Sequence, residues 1–455
     1  NVNIANNTIS RFHGFTSVRG IQTGSCDNFT ISGNLIDSLY TTNASVATTA
    51  IGIDHSLTAT DSVLISGNTV SRIVTQSTST FTSIATGIIL GSSSTYKIYA
   101  WNNVITDISN QSTAGYARGA FFQGSTFTMQ WFWNNRIGNI TSPNNTTYTP
   151  VSAAGIELNG GGSSTTPSRI FNNTIYLNTG GSASTFSTAA LYITGSTYTA
   201  DIFNNIFYNT STPGSATTAF SAAIWKTTTG ITTTNNTTRC NNNLFYTNAN
   251  VRRNYPVYRN SADNFTDSTL CQFTTRLLAP RELNSVQGPV TFLSTTSTSP
   301  NFLLVDPTAA TFAEGGGYSR PDMVIPDVQG QTRNLLTPDI GADEFTGTAP
   351  TTSTASYTFA VSQLTTTVNP GTRDAIIMGT TLTLSSLSGS APANISRLRF
   401  STTGTTSPTT SIDTAKLWFN ATSGTTFSNP VLMGTVVNPN GGFAFNLTER
   451  VSCAG

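Results

Sequence analysis

The stretch Ile98-Tyr-Ala-Trp-Asn-Asn-Val-Ile-Thr-Asp-Ile108 decides how this chain folds. It is an alternating apolar run, an Asn pair and a second alternating run. Alternation on a two-residue period is strand periodicity. The same phrase returns about every 34 residues, and a fixed repeat of that length signals a stacked architecture. It reads NNTI at Asn6–Ile9, GNLI at Gly33–Ile36, GNTV at Gly67–Val70 and NNVI at Asn102–Ile105. It continues as NNRI at Asn134–Ile137, NNTI at Asn172–Ile175, NNIF at Asn204–Phe207 and NNLF at Asn242–Phe245.

Two further strand phrases flank each copy. One opens on a small residue: Gly52–Asp54, Gly87–Leu90, Gly119–Phe122, Gly155–Leu158, Ala190–Ile193 and Ala223–Lys226. The other runs directly into the Asn, as at Phe29–Asn34, Val63–Asn68, Gln130–Asn135 and Asp201–Asn205. No stretch carries an apolar stripe at helical spacing. Three short strands per repeat describe one coil of a right-handed parallel β-helix, with coils about 4.8 Å apart. Inward residues then align in files: Ile31, Ile65, Ala100, Phe132, Ile170, Ile202 and Cys240 in one, and Ile36, Val70, Ile105, Ile137, Ile175, Phe207 and Phe245 in another. Asn tolerates left-handed backbone, and its amide can bond to the Asn above and below. Asn34, Asn68, Asn103, Asn135, Asn173, Asn205 and Asn243 are therefore expected to form a structural amide ladder rather than a ligand site.

The expected organisation is all-β. Coils fill residues 1–250, terminal coils and a cap 251–345, a linker 346–356, and a β-sandwich module 357–455. The module is read from strand runs at Thr358–Val361, Ile376–Leu384, Ser396–Phe400, Ala415–Phe419, Pro430–Val437 and Gly442–Leu447, and it looks cut short at Gly455. Residue 1 already lies within a repeat, so the chain reads as part of a longer protein.

The repeats resemble those of exported bacterial parallel β-helix proteins of the pectate-lyase-like superfamily. Ser299-Pro-Asn-Phe302, Asp327-Val-Gln-Gly-Gln-Thr-Arg333 and Pro338-Asp-Ile-Gly-Ala-Asp-Glu-Phe345 are similar to phrases that close such columns. The resemblance implies that this segment covers the last coil, an open strand edge otherwise, with Arg333 bonded to Asp339 or Glu344. Asp339, Asp343 and Glu344 could alternatively gather a metal. Asp413-Thr-Ala-Lys-Leu-Trp-Phe419 and Gly441-Gly-Phe-Ala-Phe445 resemble sandwich modules of Bacteroidota, which implies a cell-surface protein exported by type IX secretion. Ser38, Ser62, Ser268 and Thr414 follow Asp in triplets that resemble the O-glycosylation acceptor of the same bacteria.

Composition bounds the partners. Only 9% of residues are charged and the net charge is +1. That leaves no basic field for nucleic acid, and no apolar run is long enough to cross a bilayer. Solubility comes from Thr, Ser and Asn, with Lys only at Lys97, Lys226 and Lys416, a style consistent with an extracellular location. Cys240 and Cys271 could pair in an exported chain, with Cys26 a small core residue. No cofactor or metal is required by any motif.

Catalysis finds little support. Asp54 and Glu157 share an outward file but stand three coils apart, about 14 Å. Glycoside hydrolysis needs carboxyls roughly 5–9.5 Å apart. His55 falls on an inward position. Arg169, Asp201 and Arg239 are successive outward neighbours, either an ion ladder or a lyase-like Arg site. The remaining surface theme is aromatic. Trp101, Trp133, Phe171 and Phe203 should stack, with Tyr99 and Trp131 beside them, and Phe121, Tyr192 and Trp225 on the other file. Such rings can be covered by their own long turns, dock another surface protein or a copy of this chain, or bind polysaccharide. The expected role is structural or adhesive, with a carbohydrate-binding column and a polysaccharide lyase or hydrolase as alternatives.

Overall fold

The computed structural model describes residues 2–24, 28–56, 62–78, 80–92, 97–124, 128–146, 151–196, 198–228, 236–248, 253–254, 257–277, 281–320, 326–350, 356–363, 368–369, 371–373, 375–385, 397–404, 407–419 and 431–446. Cys26 lies outside them. Two compact units divide after Pro350.

The first unit is a parallel β-helix made of three sheets. The strands that enter the Asn turn form a seven-stranded sheet, those that leave it a nine-stranded sheet, and those that open on the small residue a second nine-stranded sheet. Lys97–Trp101 of the first sheet pairs in register with Ser62–Ser66 on one side and Met129–Trp133 on the other. Like therefore sits on like: Ile65, Ala100, Phe132 and Ile170 stack inward and are fully buried. The second file, from Ile36 through Phe245, is likewise buried and in register.

The small residue of the third sheet has a steric cause. A Cβ on Gly119 would stand 2.4 Å from Ile137 Cγ2 and 2.6 Å from the Gly155 carbonyl oxygen. Gly52, Gly87 and Gly155 meet the same obstacles, a methyl of the Val or Ile across the core and the next coil's carbonyl. The file becomes Ala190 and Ala223 in the coils that carry Phe207 and Phe245, which have no Cγ2 methyl.

A short helix, Leu270–Arg276, closes the C-terminal end of the column, where the sequence shows no helical stripe. Thr269 and Gln272 form its capping box, and it lowers Leu270, Phe273 and Leu277 into the core. Phe273 stacks on Tyr258 at 4.8 Å and meets Phe245 edge-on at 6.1 Å. Phe265–Asp267 then pairs antiparallel with Tyr258–Asn260 and ends that sheet.

The segment expected to close the end instead lies along the column's side. Val290, Val305, Ala313 and Ile340 pack on Ile206 and Leu244, outward residues of the second sheet. Arg136 donates to the Phe302 carbonyl at 2.7 Å, and the Gly341 N–H donates to Asn204 O at 2.8 Å. The reason is apolar demand: Ile206, Tyr208, Leu244 and Tyr246 make an outward strip that needs cover, and the end is already plugged by the helix. The expected ion pair does form, with Arg333 Nη1 3.2 Å from Glu344 Oε2.

The second unit contains six described strands in three antiparallel pairs. Ser356–Gln363 pairs with Met378–Ser385, Arg397–Ser401 with Gly442–Asn446, and Thr414–Phe419 with Val431–Val437. Each of the six expected runs overlaps one of these strands, with Ser396, Pro430 and Leu447 outside the described residues. Among the described residues no helix is long and apolar enough to cross a membrane.

Candidate functional site

The Asn pair divides two tasks that one Asn was expected to perform. Its first member takes the left-handed backbone: Asn102, Asn134, Asn172, Asn204 and Asn242 all have φ between 52° and 56°, with Gly33 and Gly67 equivalent. Its second member builds the ladder. Asn34, Asn68, Asn103, Asn135, Asn173 and Asn205 each donate both their backbone N–H and their Nδ2 to the Oδ1 of the Asn below, at 2.9–3.1 Å. Asn7 extends the ladder upward. At the bottom, Asn243 donates to Ser285 Oγ at 2.8 Å and to the Glu282 carboxylate. The first-position amides, pointing outward, hold the lateral segment: Asn134 bonds Pro326 O and Arg333, Asn204 bonds both polar atoms of the Tyr318 backbone, and Asn242 bonds Gly316 O.

The aromatic file stacks as expected. Trp101 and Trp133 lie 4.9 Å apart and 4° from parallel, Trp133 and Phe171 5.7 Å, Phe171 and Phe203 5.0 Å. The stack consumes the ring faces a sugar would need. Phe171 and Phe203 are buried, and Tyr318 covers Phe203 edge-on at 6.3 Å. Trp101 and Trp133 are half-buried. The Trp131 ring carries the Arg169 guanidinium at 4.3 Å, and Tyr99 meets it edge-on at 5.4 Å. On the third sheet Tyr192 and Trp225 are buried in a small satellite core with Val151 and Phe220, and Trp225 Nε1 donates to Ser261 Oγ at 2.6 Å. Half-buried Phe121 carries Arg118 at 3.9 Å. Self-covering by the chain's own segments is thus the outcome for Phe171, Phe203, Tyr192 and Trp225.

Each acidic group on these files is paired within the fold. Asp54 bonds Arg19 at 2.6 Å, Glu157 bonds Arg118 at 2.6 Å, and Asp201 lies between Arg169 at 3.3 Å and Arg239 at 3.4 Å. The register places Asp54 and Glu157 three coils apart, with Ile89 and Phe121 between them. Burial raises the Glu157 pKa, opposed by the Arg118 charge, and it lowers that of Arg169, opposed by Asp201. His55 is fully buried beside Thr23, Oγ1 to Nδ1 2.6 Å, and desolvation drops its pKa to about 4.

The carboxylates of Asp339, Asp343 and Glu344 bond groups of the lateral segment itself. Asp339 accepts the Gly315 and Phe345 N–H groups at 2.7 Å, Asp343 accepts Val305 N–H at 2.9 Å, and Glu344 is held by Arg333. Among the described residues no three His, Cys, Asp or Glu side chains gather as ligands. Cys240 is a free, buried thiol whose Sγ donates to Ala200 O at 3.3 Å, in place of the expected disulfide; burial raises its pKa. The Cys271 side chain lies outside those described. Of the four glycosylation candidates, Ser38 is buried and donates to Asp37 at 3.0 Å, Ser62 and Ser268 are half-buried, and Thr414 is exposed.

In the second sheet the inward residues are three apart, as in Ile36 and Leu39, Val70 and Ile73, Ile105 and Ile108, Ile137 and Ile140. Two outward residues fit between them, and the second adopts positive φ: Ser38, Arg72, Asp107 and Asn139. A strict two-residue period hides this extra residue, but the i, i+3 spacing announces it. Arg72, Asp107 and Asn139 of this file line a groove of about 330 Å³ together with the neighbouring Tyr40, Val74, Ser109 and Thr141 and with Asn178 and Thr179. No family model matches the chain, and neither a curated protein nor a solved structure matches it. Its classification rests on its own geometry, a parallel β-helix of stacked three-strand coils.

Proposed function

We propose that this chain is a rigid structural or adhesive rod, exported to the bacterial cell surface and working as a stalk or fibre element. The observation that carries this reading is the use made of its distinctive side chains. The ladder amides, stacked ring faces, Arg and carboxylates described above are engaged by neighbouring coils or by the lateral segment, which stiffens the column. The Thr/Ser/Asn surface and low charge favour export, and the family resemblance at the lateral segment points the same way. Partners would be other surface proteins or further copies of the chain.

Single-molecule pulling on the whole chain tests the mechanical part. A stack of near-independent coils should release chain in steps of one repeat, about 110–120 Å for about 34 residues. Smooth extension without steps would contradict a stiff rod. Incubation with acidic polysaccharides, followed by unsaturated and reducing ends, tests the enzymatic alternative. No turnover is expected; turnover that disappears in Arg169→Ala would replace this reading with a lyase.

A further inference from the structure

We propose that the outward groove on the upper part of the second sheet binds a neutral oligosaccharide lying along the column axis. The proposal goes beyond a structural role and does not use the aromatic file.

The groove is built from two adjacent rows that repeat coil by coil. Tyr40, Val74, Ser109 and Thr141 are successive partners in register and form the floor. The inserted left-handed residues Arg72, Asp107 and Asn139 form the wall. Tyr40 is backed by His13, ring centroids 5.2 Å apart, so its ring has a fixed orientation. Asn139 Nδ2 donates to Asp107 Oδ1 at 3.1 Å, and Arg72 is paired with Asp37, so both charged groups of the wall are held in place. The Arg72 side chain is still 53% exposed. At the coil of Asn139 and Thr141 the lateral segment reaches this face: a Cβ on Gly138 would meet Phe302 at 2.9 Å. The groove is therefore the part of the second sheet that the chain's own cover leaves open.

Its chemistry narrows the ligand. A sheet face offers no free backbone N–H or C=O, so a peptide cannot add to it as a strand. The floor is mostly hydroxyl, with one ring and one Val, too polar for the core of a protein interface. The Arg72–Asp37 pair cancels its charge and the Asp107 carboxylate adds a negative one, which disfavours phosphate or uronate. What remains is a hydroxyl-rich, uncharged, elongated molecule. Planar Arg, Asp and Asn heads suit adjacent hydroxyls on a sugar ring, and the rows repeat at about 4.8 Å.

The test is titration calorimetry of the whole chain with β-1,4-glucose, β-1,4-xylose, β-1,4-mannose and α-1,4-glucose hexasaccharides, with a uronate hexasaccharide as the charged control. At least one neutral hexasaccharide should bind. Ser109→Trp, which fills the groove from a half-exposed floor position, should weaken it at least tenfold, and Trp101→Ala should leave it unchanged. Far-UV circular dichroism of Ser109→Trp identical to wild type keeps a folding failure out of the comparison. No neutral binding, binding that survives Ser109→Trp, loss in Trp101→Ala, or preference for the uronate would each overturn the proposal. None of these outcomes affects the pulling experiment, so the rod and the groove stand or fall separately.

Discussion

Replacing one rung of the amide ladder separates the two positions of the Asn pair. Asn135 Oδ1 accepts the Asn103 N–H at 3.0 Å and Asn103 Nδ2 at 2.9 Å. Its Nδ2 reaches Ala100 O at 3.2 Å, Trp133 O at 2.9 Å and Asn173 Oδ1 at 3.0 Å. Two N–H groups serve those three acceptors, so four bonds are counted, each worth about 1 kcal/mol net. Asn135→Ala should therefore cost about 4 kcal/mol, because the stranded amides above and below are buried and cannot turn to water. Asn134→Gly should cost about half as much, about 2 kcal/mol, because only two bonds are lost. It keeps the positive φ, as Gly33 and Gly67 do in earlier coils, and loses only the half-buried contacts to Pro326 and Arg333. Native-state hydrogen exchange at the amides around positions 103–105 and 135–137 reads the difference directly. Equal costs at the two positions, or a loss under about 1 kcal/mol at Asn135, would refute the division of tasks.

Glu157→Gln should destabilise by about 3–5 kcal/mol, because it leaves the Arg118 charge buried without its partner; Arg118→Met with Glu157→Leu should recover most of that in thermal unfolding. Gly119→Val should lower the melting temperature sharply or prevent soluble expression, whereas a well-tolerated Val would mean that the close approach to Ile137 and Gly155 is not real. The folded His55 has a pKa of about 4 against 6.5 ordinarily, so the native state binds fewer protons than the unfolded chain between those values. The His55 contribution should be fully present above pH 6.5 and fall by about 3 kcal/mol down to pH 4, opposed by Asp339 and Asp343, whose pKa values burial raises to about 7 and about 6. The difference in urea midpoint between wild type and His55→Leu, which matches its file neighbour Leu90, should shrink by that amount between pH 6.5 and pH 4; a difference independent of pH would refute it.

Much of the column is readable before any coordinates. The Asn file, both inward files, the aromatic stack and the Arg169–Asp201–Arg239 ladder follow from one period, because in-register stacking turns sequence repetition into contact. The resemblance to column-closing phrases, by contrast, misplaced the segment from Ser299 to Phe345. That stretch has no repeat, so its position depends on which outward strip is apolar and which end is already covered. The helix Leu270–Arg276 escaped for a related reason. It is too short for a helical stripe, and only its capping box marks it.

Sequence alone therefore determined the coil, its period and which residues share a file. These are local alternation and repetition, fixed by strand geometry and the Asn turn. Only tertiary structure decided which outward rings are covered and which face stays open. Those outcomes depend on non-repeating chain returning from far along the sequence. The bonds between Asn134 and Arg333 and between Asn204 and Tyr318 exist only once the column has formed and offers its outward amides.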